Sequence, residues 1–110
     1  MKVDQKGHTI TIKDTQGDVV SFLMKVTHEY KSFEKRNIVV DLSQHKKLTV
    51  KEINSFLPLS KIHRKAGKSF VIVADGIDFN AISTQLATVP TVLEANDIIE
   101  MEEIERDLGF

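Results

Sequence analysis

The chain has 110 residues and a mass of 12.4 kDa, enough for one domain with a modest core, since a chain of this size hides roughly two-thirds of its unfolded surface on folding. Its composition, 41% hydrophobic and 28% charged with a net charge of -1, is ordinary for a globular protein and excludes disorder as the default state. The absence of cysteine excludes disulfides, thiolate metal sites and cysteine nucleophiles, leaving four histidines and the carboxylates for any metal or acid–base chemistry.

In chain order, Lys2 to Gln5, a Lys6-Gly7 turn and His8 to Lys13 predict a β-hairpin, its second half carrying β-branched residues at alternate positions. From Asp18 onward Val19, Phe22, Leu23, Val26, Tyr30 and Phe33 recur at spacings of three and four, which predicts a helix with one apolar stripe, capped by Asp18 or Thr15. Asn37 to Leu42 is a nearly continuous apolar run, the pattern of a parallel strand covered on both faces. Thr49-Val50-Lys51-Glu52 fits a capping box and predicts a helix start. Val50, Ile53, Phe56, Leu57 and Ile62 mark its buried side, and Gly67 its left-handed end. Pro58 predicts a kink or a break into two shorter pieces near Phe56 to Leu59, because proline has no N–H to give to the carbonyl of Asn54. Ser69 to Ala74 repeats the buried-strand pattern and stops at the turn pair Asp75-Gly76. Ile77 to Gln85 admits one helical turn, Leu86 to Val89 a last strand, and Thr91 to Glu94 a second capping box that opens a final helix to about Leu108.

This order predicts a single α/β domain over residues 1–110, a mixed sheet of about five strands packed with helices. Charge is divided within it. Gln44 to Lys68 holds seven Lys or Arg against Glu52 alone, a net of +6, whereas Thr91 to Phe110 holds seven acids against Arg106 alone, a net of -6. No segment approaches the roughly 18 uninterrupted apolar residues of a membrane span. The start Met1-Lys2-Val3-Asp4 lacks the apolar stretch of a signal peptide, so the expectation is a cytoplasmic protein with no membrane partner.

Ile38-Val39-Val40-Asp41-Leu42-Ser43, a capped helix and then Gly67-Lys68-Ser69-Phe70-Val71-Ile72-Val73 resemble the STAS family, the anti-sigma-factor antagonists and sulfate-transporter tails. The order of elements agrees over nearly the whole chain, and Val89-Pro90-Thr91 with Glu94-Ala95 is similar to that family's last strand and helix. The resemblance implies a STAS-like fold and a regulatory, protein-binding role. It also brings a departure. Phosphoswitch members follow the Asp-Leu-Ser strand end with Gly and then Asp-Ser-Ser or Asp-Ser-Thr, the first serine being phosphorylated by a partner kinase. Here Gln44 stands at the glycine, Thr49 at the aspartate, and Val50 and Lys51 at the two hydroxyl positions. Val50 cannot accept a phosphate. Thr49 offers a hydroxyl one place early, as a candidate phosphosite, in competition with its capping role. The ending Glu100 to Phe110 resembles that of short chains labelled ribonuclease Z. That enzyme needs a His-x-His-x-Asp-His cluster to hold two zinc ions, and His8, His28, His45 and His63 stand alone. The label therefore implies at most an accessory, non-catalytic part in tRNA 3′ processing.

In open α/β sheets ligands gather outside the carboxyl ends of the strands. That places the candidate ligand residues Asp41, Ser43, Asp75 and Gly76 there, beside the alternative that both aspartates close Asx turns. Ser43, Gln44, His45, Lys46, Lys47, Thr49 and Lys51 are the candidate partner-binding residues, since the resembled family meets its partners on this loop and helix start. Solvated charge is the competing explanation. Lys61, Arg64, Lys65 and Lys68 could suit RNA, but without interleaved aromatics a solvated helix face is the better reading. His63 has no metal partner at the i+4 spacing and reads as a partly exposed surface histidine. No nucleophile, phosphate loop or paired base accompanies the aspartates, so the chain is expected not to be an enzyme and to need no cofactor or metal. The leading expectation is a STAS-like regulatory or scaffolding protein with a protein partner of the kinase, anti-sigma or RNA-processing kind. A small-ligand or nucleotide module at the strand ends is the alternative. Homodimerisation through either charged helix is open, with no feature that specifies it.

Overall fold

The computed structural model describes residues 1–109; Phe110, the last residue of the ending compared above, lies outside the described residues. The hairpin forms as β1 (Lys2–Lys6) and β2 (Thr9–Lys13), paired antiparallel with Val3 opposite Ile12. The next helical stretch is two pieces, α1 (Val19–His28) and α2 (Tyr30–Phe33), separated at Glu29. Asp18 is its cap, with Oδ1 accepting from the Ser21 N–H at 3.2 Å. The remaining strands are β3 (Asn37–Asp41), β4 (Phe70–Val73) and β5 (Ala87–Val89), all parallel to β2, in the spatial order β1-β2-β3-β4-β5. The expected single α/β domain with a five-stranded mixed sheet is thus present.

Side-chain alternation on the central strands divides the interior into two layers. Ile38 and Val40 of β3 and Phe70 and Ile72 of β4 face α1, α2, α3 (Val50–Asn54) and α4 (Leu57–Lys65), meeting Phe22, Val26, Ile53 and Phe56. Val39, Val71 and Val73 face the other way, onto Ala95 and Ile99 of α5 (Val92–Asp107). The continuous apolar runs predicted strands buried on both faces, and β3 and β4 are buried throughout. The segment between β4 and β5 holds one short 3-10 turn, Phe79–Ala81.

Pro58 acts as expected. The helix opened by Thr49 stops at Asn54, and a new one begins at Leu57 with Pro58 in its first turn, where a missing N–H costs no hydrogen bond. Gly67, at φ +82°, ends α4 in the left-handed region that an L side chain rarely adopts.

Two sequence expectations on α4 are overturned. Ile62, assigned to the buried side, is 58% exposed, and His63, assigned to the surface, is fully buried. Helical phase decides this, because the buried stripe of α4 runs through Leu59 and Ser60, and His63 falls between them while Ile62 lies about 110° away. The imidazole tolerates burial because both nitrogens are satisfied. Nε2 donates to the Arg36 carbonyl at 2.7 Å and, in the neutral ring, Nδ1 accepts from the Tyr30 hydroxyl at 2.6 Å. At Thr91, Oγ1 accepts from the Glu94 N–H at 3.1 Å, and among the described residues the reciprocal half of the expected second capping box is missing.

Candidate functional site

Three loops leave the carboxyl edge of the sheet side by side, after β2, β3 and β4, because those strands are consecutive neighbours in one register. The expected ligand residues lie on two of them. Asp41, the last residue of β3, is buried, and its Oδ1 accepts from the Ser43 N–H at 2.9 Å. Asp75 Oδ1 accepts from the Gly76 N–H at 2.8 Å. Asp41 thus closes an Asx turn, whereas the Asp75 bond reaches only the next residue. Topology works in the same direction. A crevice for a ligand opens at a switch point, where the strand order reverses and neighbouring loops diverge. In this sheet β1 to β5 run in sequential order, with the helices of both α-helical crossovers packed on one face. Among the described residues there is no group of three or more His, Asp or Glu side chains arranged to hold a metal ion.

The partner-binding residues are brought together on the loop from Leu42 to the start of α3, and this loop is fastened from within. Leu42 is buried in the core, its N–H on the Val73 carbonyl at 2.8 Å, and Leu48 packs against the same core. Thr49 Oγ1 accepts from the Glu52 N–H at 3.1 Å while Glu52 Oε1 accepts from the Thr49 N–H at 2.9 Å, a complete capping box. The Thr49 hydroxyl also donates to Glu52 Oε1 at 3.0 Å, so the candidate phosphosite has its oxygen engaged on both counts.

His45 is the residue that departs from expectation. Expected from the sequence to face a partner, its side chain is only 8% exposed and turns inward, its Nε2 donating to Asp14 Oδ2 at 2.6 Å. Asp14 is itself buried, and its other oxygen accepts from the Gln16 N–H at 3.0 Å. The pair ties the loop after β3 to the loop after β2 across 31 residues of sequence. Nearby, hydrogen bonds from the Ser21 N–H and hydroxyl hold the Asp18 carboxyl below its ordinary value. Sequence reading missed Asp14. The available signal, a polar residue closing an alternating strand just before Gln16-Gly17, marks a turn and says nothing of a partner so distant in the chain.

With these side chains spent on holding the loop, Ser43, Gln44, Lys46, Lys47, Thr49 and Lys51 remain exposed. Among the described residues Lys46, Lys47 and Lys51 form no ion pair. The result is a fixed loop presenting three free cations.

Arg64, Lys68 and Arg106 do not extend this surface. Arg64 donates to Glu102 at 3.1 Å and to the Phe70 carbonyl at 3.0 Å, joining α4 to α5 past the end of β5. Lys68 lines a polar cavity of about 380 Å³ at the opposite edge of the sheet, with Lys35, Arg36, Asn37 and Arg106. The carboxyl ends of α4 and α5 converge there, and cations at helix carboxyl ends complement the dipole. Arg106 donates to Ser69 Oγ at 3.1 Å and to Asn37 Oδ1 at 3.4 Å, both acceptors buried, so its charge has a structural task. No helix is long and apolar enough to cross a membrane among the described residues. No family model and no curated protein matches the chain.

Proposed function

We propose that the chain is a non-catalytic docking module, STAS-like in the order of its elements, that regulates or scaffolds a partner protein received on the loop from Ser43 to Lys51. The observation that carries this reading is the contrast within the loop. His45 turns inward and the Thr49–Glu52 box closes the helix start, both fixed by hydrogen bonds, while Lys46, Lys47 and Lys51 stand free on the outside. Fixing a loop before binding removes the ordering cost that a mobile loop meets on association. Unpaired lysines then favour an acidic partner surface by steering and by selectivity.

Switching through a phosphate at this site is not part of the proposal, because Val50 occupies the position of the modified residue and the Thr49 oxygen is committed to the cap. The small-ligand alternative at Asp41, Ser43, Asp75 and Gly76 gains no support from the geometry, in which each carboxylate accepts a backbone N–H of its own loop. An accessory role in RNA processing would run through a protein partner. Of the bases named for direct RNA contact, Arg64 is already engaged with Glu102 and the Phe70 carbonyl.

The test is quantitative capture from native lysate with the full chain. The double reversal Lys46→Glu with Lys47→Glu is expected to lose a specific set of proteins. The control Lys2→Glu with Lys6→Glu makes the same change of charge on exposed β1 and is expected to retain them. Equal retention by both variants would overturn the proposal, and equal loss would reduce it to non-specific charge.

A further inference from the structure

We propose that the outward face of α5 is a second docking surface, one that receives a cationic amphipathic helix of a partner protein. The helix is apolar on two sides. Its inner side, Ala95 and Ile99, covers Val39, Val71 and Val73 of the sheet. Its outer side carries Leu93, Met101, Ile104 and Leu108, which are between 53% and 72% exposed. At 3.6 residues per turn these four lie within an arc of about 80° centred opposite the buried stripe. A helix that packs on a sheet needs one apolar side, with polar residues on the other. A second stripe of four large side chains presents on the order of a few hundred Å² of apolar surface, the size at which an exposed patch marks an interaction site.

The charges around the stripe state what fits. Glu100 and Asp107 border it on one side, Glu94 and Glu105 on the other, and Asp97 sits within it; all five are exposed. Among the described residues none of them forms an ion pair, the acids of α5 that do so being Glu102 with Arg64 and Glu103 with His8. The one base of the helix, Arg106, is turned to Asn37 and Ser69. An occupant must therefore offer apolar side chains flanked by cations over about 22 Å, the length of the segment from Leu93 to Leu108 at 1.5 Å per residue. A second copy of this chain does not meet that description. Pairing α5 with its own image sets acid against acid. The basic α4 has nine residues and one exposed large apolar side chain, Ile62, so it matches only part of the stripe. Anionic lipid is repelled by the same carboxylates. A separate helix with Lys or Arg on both sides of an apolar stripe matches the four apolar side chains and the four acids that border them. This surface lies on the layer opposite the helices that follow the Ser43–Lys51 loop, so it stands or falls independently of that site.

The test uses the full chain and a fluorescein-labelled 18-residue peptide of leucine and lysine in amphipathic helical order, read by fluorescence anisotropy. Binding is expected, with at least a tenfold loss of affinity in Met101→Ser with Ile104→Ser. A comparable loss is expected in Glu100→Lys with Glu105→Lys and on raising the salt. The reversal Lys46→Glu with Lys47→Glu is expected to change nothing. In this assay three results would overturn the proposal: no binding at 100 µM peptide, equal binding of a scrambled peptide of the same composition, or unchanged affinity in both α5 variants. Sedimentation of the chain alone completes the experiment. A dimer abolished by Met101→Ser with Ile104→Ser would overturn it in favour of a second copy. The substituted side chains are exposed, and unchanged thermal midpoints would show that the fold is retained.

Discussion

Replacing His63 by phenylalanine isolates the polar contribution of the one fully buried histidine. The imidazole stands edge-on to Tyr30, with ring centroids 5.5 Å apart at 81°, and to Phe70, 6.2 Å apart at 70°. A phenyl ring can keep those contacts, so the cost of His63→Phe comes from hydrogen bonds. The Arg36 carbonyl loses the Nε2–H donor and the Tyr30 hydroxyl loses its acceptor, although Tyr30 is only half-buried and can turn to water. One orphaned buried acceptor, partly offset by no longer burying an imidazole, amounts to about 2 kcal/mol. For a domain of this size that lowers the thermal midpoint by about 8–12 °C. The pH dependence supplies the sharper test. Burial lowers the His63 pKa from its ordinary 6.5, and the cations Lys68 and Arg64 add to this against the Arg36 carbonyl and Glu34. Below pH 6.5 the unfolded chain therefore takes up a proton at His63 that the fold refuses, and the wild type loses stability by up to about 1.4 kcal/mol per pH unit. That stability is complete above pH 6.5 and falls on acidification. The variant lacks this loss, so its deficit, measured by denaturant titration at pH 7.5 and 5.5, is expected to shrink at the lower pH. A deficit that stays constant or grows on acidification would refute the assignment of a neutral, buried His63, as would a variant equal to the wild type at pH 7.5.

Three further outcomes follow from the same contacts. His45→Ala leaves the buried Asp14 Oδ2 without its donor, and is expected to cost about 2 kcal/mol and to speed amide hydrogen exchange from Ser43 to Leu48, read by mass spectrometry. Thr49→Val opens the capping box at the start of α3 and is expected to cost about 1 kcal/mol in thermal denaturation, most of it restored by Thr49→Ser; the native chain is expected to carry no phosphate at Thr49. Arg64→Met removes the donor to the Phe70 carbonyl and to Glu102, and is expected to cost about 1–3 kcal/mol in denaturant titration.

How far the sequence could be read depended on the range of the contact that decides each feature. The capping box at Thr49, the break before Pro58 and the left-handed Gly67 are set by residues within a turn of one another, and all three form. Strands β3 and β4 were legible because burial on both faces leaves a continuous apolar run. Failures began where a distant residue supplies the partner. His63 reads as polar and hence exposed until Tyr30 and the Arg36 carbonyl, 33 and 27 residues away, are known to meet it. At the candidate docking loop the exposed lysines were legible as a local cluster. The inward turn of His45 depends on the parallel register that brings the end of β2 beside the end of β3, and no local pattern encodes it. The apolar outer stripe of α5 was hidden by its own inner one, because apolar residues on both sides erase the one-sided periodicity that marks a packed helix.

Site-specific photo-crosslinking reads directly whether the loop from Ser43 to Lys51 is the surface a partner touches. A benzophenone side chain placed at exposed Gln44, between the Asp41 turn and the free lysines, is expected to trap a protein adduct in native lysate. Unlabelled wild-type chain is expected to compete that adduct away. The same probe at Gln5, on the exposed edge strand β1, is expected to trap none. Competable adducts from Gln5 with none from Gln44 would contradict the account.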